Sequence, residues 1–194
     1  AANSKGQQVM VLTASQTIDY GNEYEDTYAT YFFKRSGLDK PWSKMKIVDS
    51  FGPAAVDGYS YWTGGAVVTP KGKIAFGLNR GFNYAPTNAR IYSTEKFSGA
   101  LKRVDKAGFE KSWASYDLSM VNVGEKIFAS YTSCTIDYSA CGTMAGEVGK
   151  ISKATAVGTD EESIALAVLD GKVRAFLAND DNEPPGYVYM YPQN

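Results

Sequence analysis

The chain contains no histidine. That absence removes Ser-His-Asp and Cys-His nucleophilic catalysis, and every metal site that depends on imidazole. Cysteine is nearly absent as well, with only Cys134 and Cys141. Two thiolates without histidine do not make a zinc site. No run of 18 apolar residues exists, so no transmembrane helix is expected. Charge of one sign is not in excess: 20 Lys+Arg stand against 21 Asp+Glu, for a net charge of -1. Proteins that track phosphates carry a basic surplus or stripe. The nearest basic cluster, Lys102, Arg103, Lys106 and Lys111, is interleaved with Asp105 and Glu110 and reads as a solvated face. Nucleic acid is therefore not an expected partner. Walker-type and dinucleotide-binding glycine loops are also missing.

Residue usage favours strands. Among 194 residues, 14 are Tyr and 19 are Gly, and helix-period segments are scarce. The best helix candidate, residues 160–169, opens Asp-Glu-Glu. It also reads as a short apolar strand entering an Asp170-Gly171 turn, and the strand is the expectation. An all-β chain is therefore expected, with enough apolar residues to build its own core.

Four segments share one local grammar: a glycine leading directly into an apolar strand. They begin at Gly6, Gly72, Gly124 and Gly171. Glycine permits φ > 0 in a tight turn, and the β-branched and aromatic residues that follow favour a strand. Two of them match in detail. Nine residues after Gly6 comes Ser15-Gln16-Thr17-Ile18-Asp19-Tyr20, and nine after Gly124 comes Ser133-Cys134-Thr135-Ile136-Asp137-Tyr138. The other two match at wider spacing: Gly72 leads to Leu78, Pro86 and Tyr92, and Gly171 to Leu177, Pro185 and Tyr191. The order A-B-A-B predicts an internally duplicated set of antiparallel sheets. Its halves are expected at 1–118 and 119–194, forming one compact unit.

Between these segments lie strand-turn units. Residues 99–113 read as a strand, an Asp105-x-x-Gly108 turn, and a second strand containing Trp113. Residues 32–42, with Gly37 and Trp42, form a looser copy. This pattern resembles a β-propeller blade. The resemblance implies four blades of about 48 residues each, the size of a blade repeat. A pseudo-twofold pair of β-sandwiches accounts for the same duplication, and both architectures stay open at this point.

Several groups can carry function. Asp19 and Asp137 occupy equivalent places, and two carboxylates are what a glycosidase needs; an Asp after a strand is also an ordinary turn former. Acidic clusters at Asp19, Asn22, Glu23, Glu25 and Asp26, and at Asn179, Asp180, Asp181, Asn182 and Glu183, supply the oxygen ligands that Ca2+ takes, without EF-hand spacing. No other cofactor is implied. Aromatic residues gather near Gly, Asn and Pro: Tyr59, Tyr61 and Trp62; Tyr84; and Tyr187 and Tyr189 with Tyr191. Such rings offer flat apolar faces with a polar handle, suited to sugars and to protein interfaces. Cys134 and Cys141, with six residues between them, are placed to bridge a hairpin if their Cα atoms approach within about 7 Å. A disulfide is expected, with two free thiols as the alternative. The opening residues, Ala1-Ala2-Asn3-Ser4-Lys5, read like the end of a processed precursor, and secretion is the expected localisation.

The expectation from all this is a non-enzymatic structural or interaction protein, acting through self-association or partner contact as a homo-oligomer. The alternative is a lectin-like, glycan-binding module with duplicated sites at Asp19 and Tyr20, and at Asp137 and Tyr138. A carboxylate-based glycosidase is the third reading.

Overall fold

The computed structural model describes residues 1–19, 21, 24–51, 60–81, 89–107, 112–135, 141–150, 155–158, 163–178 and 188–191. Within them the chain is all-β, with no helix among the described residues. Unit 1 comprises β1 (Gln8–Asp19), β2 (Tyr24–Arg35) and β3 (Lys46–Phe51). Unit 2 comprises β4 (Ser60–Val68), β5 (Ile74–Gly81), β6 (Ala89–Thr94) and β7 (Lys102–Ala107). Unit 3 comprises β8 (Ser112–Val123), β9 (Lys126–Thr135), β10 (Cys141–Glu147) and β11 (Thr155–Gly158). Unit 4 comprises β12 (Ser163–Leu169), β13 (Lys172–Ala178) and β14 (Val188–Tyr191). Each unit is an antiparallel meander in sequence order, and a single bridge, Arg80 to Ser115, joins units 2 and 3 into one eight-stranded sheet. Residues 160–169 contribute the strand β12, as expected.

The glycines identified in the sequence do what their chemistry requires. Gly6, Gly72, Gly124 and Gly171 all have positive φ, at 74°, 91°, 56° and 71°. They lead into β1, β5, β9 and β13. At the last of these turns Asp170 is left-handed too, at φ 51°, so Asp170-Gly171 forms the type I′ turn that matches strand twist. The β4–β5 connection is longer. Pro70 follows Thr69, the Gly72 amide donates to the Thr69 carbonyl at 2.9 Å, and left-handed Gly72 completes the loop.

The duplication extends to register for the segments led by Gly72 and Gly171. Tyr92 pairs with Phe76 and Tyr191 with Ala175, each partner standing at the same offset from Gly72 or Gly171. The two B segments therefore match in structure as well as in sequence, whereas the A segments differ in register: Met10 pairs with Phe33, 27 residues after Gly6, and Phe128 with Glu147, 23 residues after Gly124. The looser sequence copy at residues 32–42 does not fit the repeat. Its glycine and Trp lie between β2 and β3, whereas Trp113 opens β8, a first strand. The counterpart of residues 36–40 is residues 95–99: the Lys40 amide bonds the Gly37 carbonyl at 3.2 Å, and the Gly99 amide bonds the Lys96 carbonyl at 2.8 Å. Units 2 and 3 meet between β7 and β8, and Leu118 and Ser119 are adjacent residues inside β8.

The units stack face to face, and each interface has its own core. Between units 1 and 2 lie Val9, Phe32, Val68, Ile74, Phe76, Leu78 and Tyr92. Phe76 stacks between Phe32 and Tyr92, with ring centroids 5.5 Å and 5.4 Å away. Between units 2 and 3 lie Val67, Ala75, Ile91, Leu118, Met120, Ile127, Ala129 and Tyr131. Between units 3 and 4, Leu166 and Ala175 pack with Val121, Phe128 and Ala145. Alternation explains the assignment. Ile74, Phe76 and Leu78 point to unit 1, while Ala75 and Gly77 point to unit 3. A strand buried on both faces reads as a continuous apolar run, which is how residues 74–78 read. The result is a set of small antiparallel meanders packed through their faces, an arrangement common to the propeller-like and the sandwich-pair expectations.

β8 crosses unit 2 at very close range. A Cβ added at Gly65 would meet the Met120 amide nitrogen at 2.5 Å, and one at Gly64 would meet the Leu118 Cβ at 2.9 Å. Only glycine lets the two backbones approach this closely.

Candidate functional site

Hydrogen bonds fix the relative direction of the units. Asn3, just before Gly6, donates from Nδ2 to the Thr69 carbonyl at 2.8 Å. The Thr69 hydroxyl donates to Glu125 Oε2 at 2.7 Å, and the Lys71 amide donates to Glu125 Oε1 at 2.9 Å. The glycine turns of units 1, 2 and 3 therefore meet at one end. Farther along, the Leu166 amide donates to Ser119 Oγ at 3.1 Å, which ties β12 to β8. Glu125 is held below the ordinary carboxylate range, first by the Thr69 hydroxyl and then by the Lys71 amide. The charges of Lys71 and Lys5 act the same way, and partial desolvation opposes them.

The other strand ends of units 1, 2 and 3 follow from that direction. β1, β5 and β9 run away from the glycine turns and finish at the opposite end, at Asp19, Gly81 and Thr135. The first strands β4 and β8 start there, as do β2, β6 and β10. The glycine-defined turns share their end with the longer β2–β3 and β6–β7 connections, residues 36–45 and 95–101.

Among the described residues proposed from sequence, Asp19, Tyr61, Trp62, Cys134 and Cys141 stand at or near strand ends away from the glycine turns. Asp19 is the last residue of β1 and pairs with Tyr24. Tyr61 and Trp62 stand near the start of β4, opposite Arg80 and Asn79. Tyr189 is opposite Leu177, and Tyr191 opposite Ala175, so these two tyrosines share the strand face that carries buried Ala175. Cys134 and Cys141 are direct partners across β9 and β10. Tyr20, Tyr59, Tyr84, Asp137, Tyr138 and Tyr187 lie outside the described residues, as do Asn22, Glu23 and residues 179–183 of the acidic clusters. Among the described residues, no three Cys, Asp or Glu side chains converge as a metal cage would require.

Sequence reasoning overlooked residues at this same end. Arg80 pairs with Tyr61 of β4 and with Ser115 of β8, making it the backbone junction of units 2 and 3. Arg90 is the second residue of β6 and pairs with Leu78 of β5. The available signal was Arg80-Gly81 at the end of a glycine-led strand.

Another tie joins units 1 and 2 toward the glycine end. Lys34 Nζ donates to the Phe97 carbonyl at 2.7 Å and lies 5.6 Å from the Phe97 ring centroid. Burial, aided by the charge of Lys46, lowers the Lys34 pKa.

No protein-family model matches the chain, and no curated protein matches it. Among solved structures, it is similar to the crystal structure of an exo-1,5-alpha-L-arabinanase from a bovine ruminal metagenomic library. The TM-score is 0.45 and the identity 12%, over 92% of this chain and 73% of that one. This finding stands against the expectation of a structural protein acting through self-association. β4, whose start carries Tyr61 and Trp62, is packed against β1, β5 and β8.

Proposed function

We propose that this chain is a glycan-binding, lectin-like module whose site lies at the end opposite the glycine turns. One observation carries the reading: units 1, 2 and 3 point the same way, so the strand ends next to Asp19, Tyr61, Trp62 and Cys134 gather at one end. Sugars present apolar C–H faces and a rim of hydroxyls. Tyr and Trp rings pack on the first, and Asp, Asn and Arg groups bond the second. Duplication supplies two equivalent Asp-Tyr segments, at residues 19–20 and 137–138, and repeated weak sites gain avidity on a polymer.

The test is binding of the purified chain to a panel of plant and microbial polysaccharides. It is run on the native chain, on Tyr61→Ala and Trp62→Ala, and on Asp19→Asn with Asp137→Asn. Retained circular dichroism shows that each variant folds. Binding that falls at least tenfold in the folded aromatic variants supports the reading. No binding to any polysaccharide overturns it. Release of reducing sugar that stops in the Asp variants would instead identify a carboxylate glycosidase at the same end.

A further inference from the structure

We infer that Cys134 and Cys141 form a disulfide that clamps the mouth of the β9–β10 hairpin. The argument rests on register parity. The Val148 amide donates to the Ile127 carbonyl at 2.8 Å, which makes 127 and 148 a hydrogen-bonded pair. The ladder runs without a shift from Phe128↔Glu147 to Cys134↔Cys141. Hydrogen-bonded pairs alternate along an antiparallel ladder, so 129/146, 131/144 and 133/142 are hydrogen-bonded, and 134/141 is not. A non-hydrogen-bonded pair is the closer kind, with Cα atoms about 4.5 Å apart, inside the range that a disulfide spans. The neighbouring pair of the same parity shows this closeness directly: the hydroxyls of Thr132 and Thr143 lie 3.2 Å apart. Cys134 and Cys141 stand one such step nearer the hairpin loop and on the same strand face.

The bond forms by thiol–disulfide exchange with a small disulfide oxidant such as oxidised glutathione. One cysteine thiolate attacks the oxidant and releases one glutathione thiolate. The second cysteine then displaces the other from the mixed disulfide. Two protein thiols are oxidised, one oxidant disulfide is reduced, and the two protons end on the two glutathione thiols. The clamp holds together the strand ends from which residues 135–140 depart, including Asp137 and Tyr138. It is therefore a positioning element for that part of the site, a consequence that rests on the glycan-binding reading.

Folded chain at low micromolar concentration is equilibrated with oxidised glutathione, quenched in acid, denatured and alkylated, and its mass is read. The expected result is no alkyl group and a mass two hydrogens below that of the reduced chain, with both cysteines in one linked peptide. Two alkylated thiols, or glutathione left on the cysteines, would overturn the bond. A second arm measures polysaccharide affinity for oxidised chain, reduced chain and the Cys134→Ser/Cys141→Ser variant. Several-fold tighter binding by the oxidised form alone is expected, and equal affinity in all three overturns the positioning role. Binding by none of them removes the glycan reading, while the mass measurement still decides the bond.

Discussion

The hydroxyl of Thr69 and the carboxylate of Glu125 are 2.7 Å apart, and this contact ties the β4–β5 turn to the β8–β9 turn. It joins residues 56 positions apart and, with the Lys71 amide on the other oxygen, satisfies both carboxylate oxygens.

Stability should therefore fall at acid pH in a way that Glu125→Gln removes. Glu125 has its pKa lowered on folding, so the folded state favours the carboxylate. The contribution is present above the ordinary Glu value of about 4.3 and is lost as pH drops through the lower folded value. Urea midpoints measured from pH 7 to pH 3 should show the native chain losing more than the variant. Parallel curves would remove this role from Glu125.

Gly65→Ala should be more damaging than Gly77→Ala, and only the second should be rescued. A Cβ at Gly65 meets backbone, the Met120 nitrogen at 2.5 Å, so β4 and β8 must separate. A Cβ at Gly77 meets the Leu118 side chain, whose nearest atom is at 2.3 Å. Overpacking costs about 1–3 kcal/mol, and Gly65→Ala should lie at or above the top of that range. Adding Leu118→Ala should recover part of the loss in the Gly77→Ala background. Adding Met120→Ala should recover nothing in the Gly65→Ala background. Denaturant unfolding of the two double variants decides it.

Phe76→Ala should cost about 3–5 kcal/mol, as removal of a buried aromatic side chain does. Phe76 is wholly buried and stacked on both sides. Phe76→Leu keeps much of the volume and should cost markedly less. Similar losses for the two variants would show that the stacked rings are not the source of the stability.

Gly124→Ala isolates backbone conformation from packing, because nothing lies within 4 Å of an added Cβ there. With φ at +56°, the cost should be about 1–2 kcal/mol. Gly124→Asn should cost less, since Asn tolerates this region. A thermal melt of both variants checks the order.

The glycine-led strands were legible because their signal is local: positive φ and the apolar run occur within a few residues of each other. Register was partly legible for the same reason, since Tyr92 and Tyr191 stand at fixed offsets from their glycines. The pairing of β4 with the backbone of β8 was not. Nothing near Gly64-Gly65 in the sequence explains the two glycines, and their reason lies more than 50 residues away at Leu118 and Met120. Residues 32–42 misled for the opposite reason: a shared Gly and Trp concealed a different place in the meander. Individual candidates such as Asp19, Tyr61 and Trp62 could be found as aromatic or acidic residues near turn signals. Their gathering at one end depended on Asn3, Thr69 and Glu125, which join the glycine turns of units 1, 2 and 3 through contacts no sequence period reveals.

The interface of units 2 and 3 is thin at one edge and thick at the other. Gly64, Gly65 and Gly77 sit where β8 crosses, while Ile91, Tyr131 and Met144 fill the space farther out. Layers that touch more closely along one margin cannot pile up straight; they must fan. The glycines thus act as the narrow side of a wedge, and the angle between successive units is written into the absence of three side chains. Enlarging any of them would change the angle between units 2 and 3 as well as their packing.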